Sequence, residues 1–200
     1  MAQAGGIDVN SIIQRLRRLA TLDTSVFDEV RDDASATIPA ALVVVVATFL
    51  TGIGGWLWYQ MQDYNPETGK FLMKSAVIGS VLAIVLWAVW VGITYVMLSQ
   101  IFRARADVNQ LIRVMGFAAA PLALGLLMFI PGLDYGIGLT SLAVMFGLTQ
   151  IAVQCATDAS PGRALAANAA GFAVWAIVLE LFVTSSSPYA PGIFVFAPVM

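Results

Sequence analysis

Chemistry in this chain has few places to reside. Glu180 is the one acidic residue clearly inside an otherwise apolar stretch, and Gln150 and Gln154 stand four residues apart in another. Arg113 lies at the edge of a third, and Cys155 is the single cysteine. A carboxylate in hydrocarbon is costly enough to be a functional candidate by default. Glu180 lies only a turn from the end of its stretch, however, where it can reach the headgroups or a partner. No second buried carboxylate and no histidine stands by to complete a proton relay. On a helical wheel Ala143, Gly147, Gln150, Gln154 and Thr157 share one arc, a mildly polar stripe expected to face other helices, with Arg113 and Asn168 as candidate partners. A lined conduit is the sharper reading of the same stripe.

The exclusions are equally informative. With no histidine and one cysteine, an intramolecular disulfide, a histidine-based metal site and a catalytic triad are all ruled out. There is no glycine-rich loop followed by Lys-Ser or Lys-Thr, no Gly-x-Ser-x-Gly elbow and no aspartate pair suited to intramembrane proteolysis. The sequence therefore points to a non-enzymatic protein without catalytic residues, cofactor or metal. Nucleic acid is excluded as a partner, because 10 basic and 12 acidic residues give a net charge of -2 and no basic field.

The elements that hold these residues are set by hydropathy. Of 200 residues, 60% are hydrophobic and 11% charged, against about 25% charged in an ordinary soluble domain. A hydrocarbon core about 30 Å thick requires roughly 20 apolar residues of helix. Five such stretches are present, near 38–59, 75–98, 111–130, 135–156 and 164–183. The expected fold class is all-α: a polytopic membrane bundle of five transmembrane helices preceded by short amphipathic helices. Its organisation is a cytoplasmic segment 1–36, a five-span domain 37–183 and an apolar, proline-containing tail 184–200 on the far side. The first 35 residues lack the apolar core of a cleavable signal, so the first span is expected to act as its own insertion signal.

Ahead of the spans, Asn10 or Ser11 is expected to cap a helix reaching Ala20. Its wheel gathers Ile12, Ile13, Leu16, Leu19 and Ala20 on one arc and Gln14, Arg15, Arg17 and Arg18 on the other. That pattern suits the surface of an anionic membrane, or packing against the protein's own loops. A second short helix is expected from Thr24 or Ser25, with Asp28 completing a capping box. In the first span Ala47, Thr51 and Gly55 form a small-residue ridge, which admits close helix packing within the bundle, or against another membrane helix or a second copy. Pro121 interrupts the third span and is expected to kink it.

Two groups of residues carry a family resemblance. The run Asp107-Val-Asn-Gln-Leu-Ile-Arg-Val-Met-Gly-Phe-Ala-Ala-Ala-Pro121 is followed by Pro131-Gly132, a further span and Ser160-Pro-Gly-Arg-Ala-Leu-Ala166. With the entry segment Ser25-Val-Phe-Asp-Glu-Val-Arg31, this resembles the Yip family over about residues 10 to 183. The resemblance implies a five-span protein of the kind named for interaction with Ypt/Rab small GTPases. Eukaryotic members are linked to membrane trafficking at the endoplasmic reticulum and Golgi and pair with a related partner. Here the Asp-Leu-Tyr-Gly-Pro motif is missing and Phe117 stands where tyrosine is frequent, so the chain looks more like short prokaryotic members, in a cell membrane. The implied role is a scaffold or accessory subunit whose partners are other integral membrane proteins, a second copy of the chain, anionic lipid or a small GTPase. The alternative is a small transporter or channel built on Pro121, Gln150 and Gln154.

Orientation follows from the cations. Arg15, Arg17, Arg18, Arg31, Arg103, Arg105, Arg113 and Arg163 lie on one side of the five spans, and Lys70 and Lys74 on the other. This bias places the N-terminus in the cytoplasm and, after five crossings, the C-terminus outside or in a lumen. Tags at the two termini are accordingly expected to be accessible from opposite faces of a sealed membrane. Finding both on one face overturns the five-span count.

Overall fold

The structure is a computed structural model that describes residues 8–61 and 68–182. Residues 1–7 and 62–67 and the apolar tail expected at 184–200 lie outside the described residues. Two short helices, α1 (Val9–Ala20) and α2 (Val26–Asp32), precede the bundle. Among the described residues, five helices long and apolar enough to cross a membrane follow: Ala34–Met61, Gly69–Ile101, Val108–Phe129, Asp134–Cys155 and Pro161–Leu181, called here the first to fifth spans. The expected all-α bundle of five spans is the observed one, with differences at its joints.

Those differences have local causes. α1 is capped by Asp8, whose carboxylate accepts from the Asn10 amide at 3.0 Å, two residues before Asn10 and three before Ser11, the expected caps. The capping box at α2 does not form, because Ser25 is held from behind: its amide and hydroxyl both donate to Asp23. α1 ends in a Schellman arrangement, with the Asp23 amide donating to the Arg18 carbonyl and the Leu22 amide to Leu19. The left-handed position of that motif, usually glycine, is Leu22 at φ 61°, and it is 72% exposed. A leucine there costs about 1–2 kcal/mol.

The second span extends beyond its expected limits at both ends, through π-helical turns at Met73–Ile78 and Met97–Ile101. The third departs most. Rather than bending a continuous helix, Pro121 ends it: the α-helix stops at Ala118, and Ala120–Phe129 continue as a 3-10 helix. Ten 3-10 residues rise about 20 Å, so the whole span reaches roughly 36 Å and still crosses the core. Three residues per turn change which side chains share a face. Leu122, Gly125 and Met128 are buried at that spacing, while Leu124 and Leu127 face outward.

The third span is the centre of the bundle, with 61% of its apolar window buried against at most 44% in any other span. It packs on the first, second and fourth spans and on α2. Its 3-10 half lies against the first span so closely that a Cβ on Gly54 would fall 1.9 Å from the Gly125 carbonyl oxygen. Beside that contact the Thr51 hydroxyl donates to the Leu122 carbonyl, and the Ser141 hydroxyl of the fourth span donates to the Pro121 carbonyl at 2.8 Å. Two neighbouring helices thus supply hydroxyl donors to the carbonyls at the break.

The second and fifth spans pair through Gly171, which leaves room for the Trp90 ring. The Trp90 indole donates to the Asn168 carbonyl at 3.0 Å, and that of Trp175 to the Ala83 carbonyl at 3.2 Å. At the far end Trp58 donates to Asp134 at 2.8 Å, joining the first and fourth spans.

Gly54→Ala is expected to destabilise the bundle by about 1–3 kcal/mol through overpacking. Gly147→Ala, where a Cβ meets open space, is expected to change stability by less than about 1 kcal/mol, towards a gain from helix propensity. Unfolding in mild detergent measures both, and equal effects would contradict this account of the first interface.

Candidate functional site

At the arginine-rich end, four of the eight arginines hold the structure together. Arg15 reaches from α1 across α2, with its Nε 2.9 Å from Glu29 and an Nη 2.8 Å from Asp33. Its guanidinium also lies 5.9 Å from the Phe117 ring centroid of the third span. Arg18 binds Asp23 and the second oxygen of Glu29, each at 2.8 Å. Glu29 therefore bridges two arginines on successive turns of α1. Burial pushes the Glu29 carboxyl upward, but its bonds from Arg15 and Arg18 outweigh that and hold it below its usual range. Asp33 is held low by the Ser35 hydroxyl and then, against some burial, by Arg15.

The other two structural arginines fix α2 to the spans. Arg113, 9% exposed, donates to the Arg31 carbonyl at 2.6 Å and to the Asn109 carbonyl at 3.2 Å. Arg31 donates to the Cys155 carbonyl at 2.9 Å and pairs with Asp28 and Asp32. The Cys155 thiol in turn donates to Asp28 at 3.0 Å. The end of α2 is thereby locked between the third and fourth spans.

Arg17, Arg103, Arg105 and Arg163 differ from these four: each is exposed and makes no ion pair among the described residues. Arg105 stands at a cleft of about 810 Å³ between the end of α2 and the two inter-span turns, lined also by Arg31, Asp107, Gln110, Cys155 and Asp158. Both aspartates of the turns are engaged by backbone. Asp107 caps the third span through the amides of Asn109 and Gln110, and Asp158 accepts from the Arg105 amide at 2.7 Å. An isolated bridge between Ala106 and Thr157 ties the turns together. The guanidiniums are left facing outward on a braced surface, able to take an anionic group.

The remaining candidates are dispersed. The ridge of Ala47, Thr51 and Gly55 is buried, and Thr51 bonds into the third span, so of the two occupants expected for it the bundle's own helix is the one present. Gln150 accepts from Asn168 at 3.4 Å, one of its two expected partners, while Arg113 turns to Arg31 instead. Gln154 is exposed on the outside of the bundle, contrary to the expectation that both glutamines face inward. A helix of 3.6 residues per turn places positions four apart close together but not on identical lines, and neighbouring helices here cover only the first. The two glutamines therefore do not line one path. Glu180 is exposed one residue before the fifth span ends.

Of the arginines expected at the membrane surface, Arg15 and Arg18 are engaged by α2, and only Arg17 stays outward. The acceptors Asp23, Glu29 and Asp33 were not singled out by sequence. Their signal was the matched run of acids and arginines within one short segment.

A family model, the Yip1 domain, matches residues 21–185. No curated protein and no solved structure matches the chain.

Because the folded Glu29 and Asp33 carboxyls lie below their unfolded values, their pairing stabilises α1 above the ordinary carboxylate range near pH 4 and is lost as pH falls through the depressed folded values. Hydrogen-exchange protection factors of the α1 amides are expected to drop on acidification from pH 7 to pH 3. Glu29→Gln should lower them already at pH 7. Protection independent of both changes would show that the ion pairs do not hold α1.

Proposed function

Since the chain belongs to the Yip1 domain family, we propose that it works as a non-enzymatic membrane scaffold or accessory protein that presents its arginine-rich end to the acidic surface of another membrane protein. The observation that carries this reading is the division of the arginines. Four are consumed in locking α1 and α2 to the bundle, which leaves Arg103, Arg105 and Arg163, besides Arg17 on α1, as exposed charges on a rigid support. An interface built this way loses little conformational freedom on binding, because its backbone is already ordered. The bias of cations, eight at this end against Lys70 and Lys74 at the other, supports a cytoplasmic position for it, where loops of neighbouring membrane proteins are accessible. A small GTPase is a second acidic partner compatible with the same face.

With the ridge of the first span closed inside the bundle, association through that ridge gives way to association through the turn at Arg103 and Arg105 and the start of the fifth span at Arg163. Exposed charges of this kind govern encounter and choice of partner more than raw affinity.

The test is chemical cross-linking in native membranes followed by purification in mild detergent. A discrete cross-linked partner is expected, and Arg103→Glu/Arg105→Glu/Arg163→Glu should reduce its yield at least about fivefold, as should raising ionic strength. A wild-type protein recovered only as an uncross-linked monomer, or a partner insensitive to the charge reversals, rejects the proposal.

A further inference from the structure

The apolar arc of α1 is wider than the protein surface it covers. In wheel order it comprises Leu19, Ile12, Leu16, Val9, Ala20 and Ile13, with Arg17 next in line. Leu19 and Ile12 are buried, whereas Val9 and Ile13 are 56% and 43% exposed. Beneath Leu16, at the middle of the arc, two hollows adjoin, both touching Ala120 and Ala123 of the third span. The smaller, about 220 Å³, runs towards Leu42 and Val46 of the first span. The larger, about 650 Å³, runs between Leu124 and Leu127 of the 3-10 segment and Val144 and Leu148 of the fourth span. Leu22 stands at the larger hollow, so the leucine held in a strained left-handed position forms part of this apolar wall.

We propose that the larger hollow holds one acyl chain of an anionic phospholipid whose phosphate is met by Arg17. The walls come from membrane-spanning segments and are hydrocarbon almost throughout, which suits a lipid chain and not water. The volume falls within the roughly 300–1,000 Å³ of ligand pockets, while a further helix, about 10–12 Å across, does not fit under α1. Charge fixes the headgroup. Arg15 and Arg18 are neutralised by α2 on the far side of α1, whereas Arg17 borders the exposed apolar edge and has no ion-pair partner among the described residues. A cation at that border sits where a phosphate lies above its chain. The second chain of the lipid remains in the bilayer. This site is separate from the turn that carries Arg103 and Arg105 and from Arg163 at the start of the fifth span, so it stands whether or not those bind a protein.

Native mass spectrometry of the full chain in detergent, titrated with dioleoylphosphatidylglycerol or dioleoylphosphatidylcholine, tests the proposal. The wild type should retain a phosphatidylglycerol molecule in preference to phosphatidylcholine. Arg17→Gln should weaken phosphatidylglycerol retention about fivefold and abolish the preference. Ala123→Phe, which fills the space under Leu16, should remove retention of both lipids. Leu22→Gly provides a variant whose fold is safe, because glycine suits the left-handed position; it should melt no lower than wild type yet retain both lipids less. An unchanged preference in Arg17→Gln, full retention in Leu22→Gly, or a protein dimer in place of a lipid adduct would overturn the assignment.

Discussion

Between helices in a membrane, hydrophobic attraction disappears, because lipid tails are as apolar as leucine. What remains is close packing and hydrogen bonding, and here both are concentrated where the first span meets the 3-10 half of the third. Gly54 against Gly125 lets two backbones approach within reach of each other's polar groups, and Thr51 bonds across the gap to Leu122. Pro121 makes this possible. By ending the α-helix it converts the following turns to a narrower helix with a three-residue repeat, which puts Gly125 on the buried line between Leu122 and Met128. The same conversion turns Leu124 and Leu127 outward. The hollow beneath α1 is thus a consequence of the interface that holds the bundle together.

Electrostatics then acts on this frame. The amphipathic segment contains enough carboxylates to satisfy its own arginines, and Glu29 accepts from two of them at once. Exposed ion pairs contribute little individually. This set is a network, however, in which Arg15 is largely covered, lies near Phe117 and binds two carboxylates. Arg113, buried in the third span, holds the carbonyl end of α2 rather than a counter-ion. Internal use of these four cations gives the other four their distinct character.

The comparison of α1 and the fourth span illustrates where a helical wheel succeeds and where it stops. For α1 it separated Ile12 and Leu19, which meet the bundle, from Arg15 and Arg18, which meet the carboxylates beside them, because the two sides of that helix face neighbours of different polarity. In the fourth span all sides meet either lipid or protein, both apolar, so periodicity carried little information about direction. Gln150 meets Asn168 while Gln154 points out, and neither outcome is encoded in their spacing. The ridge at Ala47, Thr51 and Gly55 was legible as a place of close approach. Its occupant was not, since a helix of the same chain and a helix of another satisfy the same small residues equally well.

The number of spans, the residence in a membrane, the amphipathic entry and the family were all contained in the sequence itself. They follow from constraints that act along the chain: bilayer thickness sets helix length, the cost of unpaired backbone enforces helix, and charge collects at the ends. The tertiary structure alone decided that Pro121 gives a 3-10 segment, that Arg15 and Arg18 are tied down while Arg17 has no ion pair among the described residues, and that Leu22 stands beside an apolar hollow. Each of those depends on contacts between residues far apart in the chain or on opposite faces of a helix. Such contacts are selected by shape and by hydrogen-bond geometry, which an apolar sequence of nearly uniform hydropathy does not record.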